Sequence, residues 1–392
     1  MFRKIRIGLS SALVCALALS VSASAQTTGN VVNIGYSGPL SGGAAQYGAD
    51  VQRGIEMAID EINADGGVSV GGKKTTFKLV SLDDQYRPNE AATNAKRLAQ
   101  QENAPIVFCS HSGGILAMMS FNEKQNPKFI VAGYSSEPAM LEQNNKSMLM
   151  IPPAYDAYFK PYAEATMKRF GKKLGLIPTT TAYGNAWTKG FTAVWTSMGG
   201  TVQGNNGVDY NTTADFSTTV SKALAEKPDV LFVGGPSQPT GLVMKAARDQ
   251  GFTGGFALMD QAKFDQIGLV LPLSRLEGSI GILPFKKFQS PGAKIFGKNY
   301  FNKYGRGREA NPEVANNYQA MHLLANAIAL AGSSSDLVGI MAKLPAAAKA
   351  MPAKYQPIPF KSVSPAGHMT EDVYVAEISH GTYKTNVIPF SH

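Results

Sequence analysis

Residues 31–67, VVNIGYSGPLSGGAAQYGADVQRGIEMAIDEINADGG, decide the fold. The alternating apolar residues Val32, Ile34 and Tyr36 read as a buried strand. A loop rich in Ser and Gly follows, SGPLSGGAAQYG. Val51, Ile55, Ala58, Ile59 and Ile62 then recur at the spacing of one helical face. Asp65-Gly66-Gly67 supplies the residues that end helices and make turns. The unit is strand, polar loop, helix, with the loop at the carboxyl end of the strand. That is where open α/β sheets bind small ligands.

Outward from this unit the rhythm repeats. Residues 76–82 alternate as a strand ending in DDQYR, and Pro88 opens a helix through PNEAATNAKRLAQQE, a first-turn position that proline favours. Strands at 105–109 and 128–132 end in SHSGG and GYSSEP. After Ile151-Pro152-Pro153 the pattern restarts with a helix at 156–170 and strands at 173–177, 201–208, 229–233 and 255–259. The loops TTTAYGNAW, GGPSQP and DQAKF lie at strand ends. The expectation is an α/β protein of two Rossmann-like parallel-sheet lobes. From Ile280 helices dominate, toward Tyr304, from Pro312 to Leu330 and from Ser335 to Leu344, before a terminal hairpin over 373–387.

The 392 residues are 44% hydrophobic and 17% charged, a globular composition long enough for two domains. The net charge of +9 is spread without basic runs beyond pairs such as Lys172-Lys173, so nucleic acid is not an expected partner. Residues 1–25 have the parts of a secretory signal: Arg3, Lys4 and Arg6, then the apolar run from Ile7 to Val21, then Ala23-Ser24-Ala25. Cleavage after Ala25 and a periplasmic destination are expected. The mature chain keeps one cysteine, Cys109, which excludes an intrachain disulfide.

Several motifs fail on context. GVSVGGKK at 67–74 nearly spells a phosphate-binding loop, but it follows a helix and precedes a strand, the reverse of what that loop needs, and reads as a turn. Ser110-His111-Ser112-Gly113-Gly114 nearly spells a nucleophile elbow, but its first glycine is missing and no other histidine completes a triad order. The histidines and lone mature cysteine show no ligand spacing such as HxxxH or CxxC, so no metal is expected. Asp83-Asp84 reads as turn and cap residues rather than a cation site. No G-x-G-x-x-G follows a strand, so no dinucleotide cofactor is expected.

Without a catalytic set, the strand-end loops read as a binding site. Ser37, Ser41, Ser112, Ser135 and Ser136 offer hydroxyls in one lobe, and the helix starts after Gly48 and Ser112 offer backbone N–H groups suited to a carboxylate. Tyr47, Tyr86, Tyr134 and Tyr183 offer apolar faces with polar tips, and Asp260 can balance an ammonium group.

On these residues the chain resembles a known family. IGYSGPLSGGAAQYGADVQRGIEMAIDEINADGG followed by LVSLDDQYRPNEAATNAKRL resembles the leucine/isoleucine/valine-binding family of periplasmic solute-binding proteins. The likeness continues through TAYGNAW and PDVLFVGGPSQPTGLVMKAARDQGF to the terminal hairpin. It implies a type I periplasmic binding fold of two lobes joined by three hinge crossings, closing on a small solute without chemistry or cofactor. It also implies a membrane permease of an ABC transporter as partner. The expected boundaries are 26–152 plus 284–361 for lobe 1 and 153–283 plus 362–392 for lobe 2, in a monomer.

The resemblance assigns roles by position. Tyr47 matches the aromatic residue that covers the side-chain end of the solute. Ser112 matches the hydroxyl that binds its carboxylate, beside the N–H of Gly113 or Gly114. Ser135 and Ser136 match the loop that meets the ammonium and carboxylate, Tyr183 the second-lobe aromatic that closes over the ligand, and Asp260 an acidic partner for the ammonium. His111 and the two glycines replace a more hydroxyl-rich run, Pro236-Ser237 stands where an aromatic is often found, and the family's first-lobe disulfide is missing, with Tyr86 near one of its positions. The resemblance implies a branched-chain or other apolar amino acid as solute, with aromatic carboxylates, amides and urea-like solutes as alternatives. A ligand sensor of the same fold and an exported serine hydrolase using Ser112 are the competing classes.

Overall fold

The computed structural model describes residues 29–305 and 307–390; the secretory-signal reading of residues 1–25 lies outside them. Two open sheets organise the chain. The first holds β1 (Asn30–Gly38), β2 (Val68–Val70), β3 (Lys73–Asp83), β4 (Ile106–Cys109), β5 (Ile130–Gly133) and β6 (Met148–Met150), in the order β2-β3-β1-β4-β5-β6. The second begins with β7 (Lys173–Pro178), β8 (Thr201–Asn205), β9 (Val230–Gly234), β10 (Gly255–Leu258) and β11 (Ser279–Ile282). A small pair, β12 (Ser362–Val363) and β13 (Met369–Thr370), precedes β14 (Val373–Ser379) and β15 (Thr382–Ile388), which join the second sheet in the order β15-β14-β11-β10-β9-β7-β8.

Pairing is parallel in both sheets except at β2 and at the β14–β15 hairpin. The sequences IVFC, IVAG, VLFVG and GFAL of β4, β5, β9 and β10 are buried throughout, as strands covered by helices on both faces must be. In the first sheet β1 lies between β3 and β4; in the second β7 lies between β9 and β8. Each strand order reverses there, and the loops leaving those strands diverge to open a crevice. The helix Ala45–Ala64 buries Val51, Ile55, Ala58, Ile59 and Ile62, the face its spacing predicts. Asn311 caps the helix Pro312–Ala331 by accepting from the Val314 N–H at 3.0 Å, and Gly332 ends it in the left-handed conformation.

The chain passes between the sheets three times, at 151–155, 283–290 and 371–372. Residues 362–370, expected with the second lobe, pack with the first instead. Val363 and Met369 join its apolar core, and Met150 bridges to His368. GVSVGGKK forms the β2–β3 turn, with Gly71 and Gly72 both at positive φ. The third late helix runs Leu337–Ala350, past the end expected at Leu344, with Pro345 inside it on the exposed face and Leu344, Ala347 and Ala348 buried.

The two long helices meet closely at Gly54, where a Cβ would lie 2.3 Å from the Val314 carbonyl oxygen. Gly54→Val should therefore destabilise the protein by about 1–3 kcal/mol, the usual cost of overpacking. A lower urea midpoint with an unchanged denaturant slope would record it.

Candidate functional site

The strand-end loops of both sheets converge on one cavity. Tyr47, Tyr86, Ser110, His111, Ser112, Tyr134, Ser135 and Ser136 line it from the first lobe, Pro152 from a crossing, and Tyr183, Asp260, Gln261 and Lys263 from the second lobe. Six of the seven residues expected at the site therefore border one volume. Gly113 is not among the lining residues; a Cβ there would lie 2.7 Å from Pro88 Cγ, while its part in the expected site is its backbone N–H.

On the first-lobe wall, the Tyr47 hydroxyl donates to the Ser110 carbonyl at 2.6 Å, which fixes its ring over the cavity. The Ser112 and Ser135 hydroxyls bond each other at 2.7 Å. No imidazole is hydrogen-bonded to Ser112 among the described residues, so the elbow-like run lacks the base a nucleophile needs. His111 turns elsewhere. Its Nδ1 accepts from the Gly114 N–H at 3.0 Å, so Nε2 carries the proton and donates to Asp84 Oδ2 at 3.2 Å. This uses one of the two glycine N–H groups expected to meet a carboxylate.

Asp84 also accepts from the Ser37 hydroxyl and the Tyr86 N–H, both at 2.9 Å. The turn holds Tyr86 at φ 63°, with its ring stacked on His111 at 4.7 Å. Asp84, Cys109 and His111 offer three possible metal-ligand atoms within 4.8 Å of one another, a grouping that chain spacing does not reveal. The bonds just described commit Asp84 and His111 to protein neighbours.

Ser37 and Ser41 do not border the cavity. Ser37 serves Asp84, and Ser41 donates to Asp83 at 2.6 Å, so both staple the β1 loop to the end of β3. The Gly42-Gly43 segment receives the second lobe. The Gly43 N–H donates to the Asn211 carbonyl at 2.9 Å, and the Ala44 N–H to Asn211 Oδ1 at 3.0 Å. A Cβ on Gly43 would lie 2.6 Å from the Tyr210 carbonyl oxygen, so this clasp requires glycine.

On the second-lobe wall, Asp260 follows β10 and Tyr183 opens the helix Ala182–Ser197, capped by Thr181. One carboxylate oxygen of Asp260 accepts from Tyr183 at 2.6 Å, from the Trp187 indole at 2.9 Å and, across the cleft, from Ser136 at 2.9 Å. Gln261 reaches the first lobe through Tyr86 at 3.1 Å. Lys263, 3% exposed, donates to the Asp260 carbonyl and pairs with Glu313 of the first lobe at 3.1 Å. Burial raises the Glu313 carboxyl to about 7 against the pull of Lys263. Trp187, Gln261, Lys263 and Glu313 carry no signal in the sequence beyond the polarity of the DQAKF loop.

A sequence profile of the periplasmic binding protein family matches residues 31–383. The chain is 26% identical to a Leu/Ile/Val-binding protein of Rhizobium johnstonii over 62% of this chain and 63% of that one. It is 29% identical to an amino acid binding protein of Pseudomonas aeruginosa over 64% of this chain and 67% of that one. The match thus spans under two thirds of the first relative's length. The isoleucine complex of a branched-chain amino acid transporter substrate-binding protein from Streptococcus pneumoniae has the same fold, with a TM-score of 0.75, 20% identity, and coverage of 92% of this chain and 99% of that one.

Beside the cavity, Asp265 is buried, accepts from the Phe285 N–H at 3.1 Å, and is raised by burial to about 7. A carboxyl that binds its proton more tightly when folded loses stability as pH rises. This proton's contribution to stability should therefore fall between about pH 4 and pH 7, by up to about 1.4 kcal/mol per pH unit, and lower the melting temperature with it. Asp265→Asn should flatten that part of the profile, and an unchanged slope would show that other groups set it.

Proposed function

The chain belongs to the periplasmic binding protein family, and we propose that it is the solute-binding component of an ABC uptake transporter, holding a small amino acid between two closing lobes. The observation that carries this reading is a single cavity walled by both lobes, with hydroxyls and a helix start on one side and the Asp260 carboxylate on the other. The solute carboxylate meets Ser112 and Ser135. Its ammonium meets Asp260 and takes over the place of the Ser136 hydroxyl. The rings of Tyr47, Tyr134 and Tyr183 cover the carbon skeleton. The function is binding without chemistry, in a periplasmic monomer that delivers to a membrane permease.

Closure follows from the division of contacts. The first lobe receives the carboxylate in either state, whereas Tyr183 and Asp260 engage only when the lobes meet. Only interactions that differ between the open and closed states shift their balance. The Asn211 clasp, the Gln261–Tyr86 bond and the Lys263–Glu313 pair close in the same motion. The head-group chemistry is common to all α-amino acids. The names of the relatives and the resemblance support a branched-chain or other apolar side chain; aromatic carboxylates, amides and urea-like solutes form the alternative set.

Thermal unfolding of residues 26–392 against amino acids, aromatic carboxylates, short amides and urea tests the reading. A ligand at about 100 times its Kd adds about 2.7 kcal/mol, visible as a raised melting temperature. Asp260→Asn should weaken the amino acid by about 2–5 kcal/mol, since a buried ammonium loses its counter-charge. Unchanged affinity would mean that no ammonium sits there.

A further inference from the structure

A second, narrow cavity lies on the hinge side of the first and shares Tyr134, Pro152, Asp260 and Lys263 with it. All three interlobe crossings contribute walls: Pro153 from the first, Leu283 and Phe288 from the second, Glu371 from the third. Glu371 is 4% exposed, and its Oε2 has no hydrogen-bond partner. Asn316, also 4% exposed, reaches the same cavity from the helix Pro312–Ala331 and leaves Oδ1 unpartnered. Buried acceptors without donors are costly and rare.

The charges around them are already committed. Lys263, the only basic residue bordering the cavity among the described residues, pairs with Glu313 at 3.1 Å. Asp372 is held at the rim by Lys361 at 2.6 Å and by the Phe390 N–H. Tyr158, Phe288 and Tyr374 supply aromatic walls, and a cation is attracted to such faces. The compartment thus has acceptors and aromatic rings, and the group that complements it is a cationic N–H donor.

We propose that this hinge-side cavity receives the amine end of the solute's side chain, with Glu371 and Asn316 as its acceptors, so that the solute is a diamino carboxylic acid. This rests on the amino-acid reading above and replaces the apolar side chain with one ending in an ammonium group. Burial pushes the Glu371 carboxyl up and Asp372 adds to it, and an ammonium beside it would favour the ionised form. Because all three crossings meet at this cavity, the side-chain terminus then reports directly on the hinge.

Titration calorimetry of residues 26–392 at pH 7 with L-lysine, L-ornithine and L-leucine tests the inference. Lysine or ornithine should bind at least tenfold tighter than leucine. Glu371→Gln should remove at least that tenfold preference. Glu371→Leu should keep or raise the melting temperature, since an unpartnered polar group is gone, and still lose the preference. Leucine binding without lysine or ornithine, unaffected by Glu371→Gln, would overturn the inference and leave the amino-acid reading standing. No binding by any of the three, with a response only to carboxylates lacking an amine, would overturn both.

Discussion

The carboxylate of Asp260 ties the two halves of the site together. One oxygen takes hydrogen bonds from Tyr183 and Trp187 of its own lobe and from Ser136 of the other. Hydrogen bonds to a charged group each contribute about 1.5–3 kcal/mol, so this knot fixes where the second lobe comes to rest. It also explains the surroundings. Trp187 is fully buried among Phe159, Phe191 and Phe232, which hold its N–H toward Asp260, and Tyr183 keeps its hydroxyl placed through the Gln261 N–H. Under the proposed amino-acid function, a solute ammonium would compete with one neutral donor, Ser136, and leave the second-lobe donors in place.

The other interlobe contacts lie around this point. Asn211 seats on Gly43 and Ala44 at one rim, and Lys263 with Glu313 and Gln266 with Asp50 lie between the lobes. Glu313 and Asp265, both raised to about 7, sit beside the crossings, so the charge between the lobes changes near neutrality. Contact between the lobes is thus a sum of several bonds, and under the proposed function a solute shifts the balance by the difference between its affinities for the closed and open states.

Much of this was legible in the chain. The strand, loop and helix of residues 31–67 and their repeats gave two parallel-sheet lobes, because fully covered strands such as IVFC and VLFVG leave a strong apolar signal. The rule that ligands meet strand carboxyl ends brought Tyr47, Ser112, Ser135, Ser136, Tyr183 and Asp260 to one cavity. Short strands such as β2, β6 and β12 were not legible, since three residues or fewer carry no period. Ser37 lies away from the cavity for a different reason. A loop sequence shows which polar groups exist, but not whether Asp84 has already claimed one of them. Lys263 and Glu371 depend on partners or cavities assembled from distant segments, and a single charged residue gives no sign of that.

Small-angle scattering of residues 26–392 tests the central claim most directly: that the lobes are held together by a solute between them. The protein would be unfolded, washed free of solute, refolded, and measured with and without a compound that raises its melting temperature. The account predicts a larger radius of gyration for the stripped protein and a contraction on adding the compound. An identical radius in both states, with binding established, would contradict it.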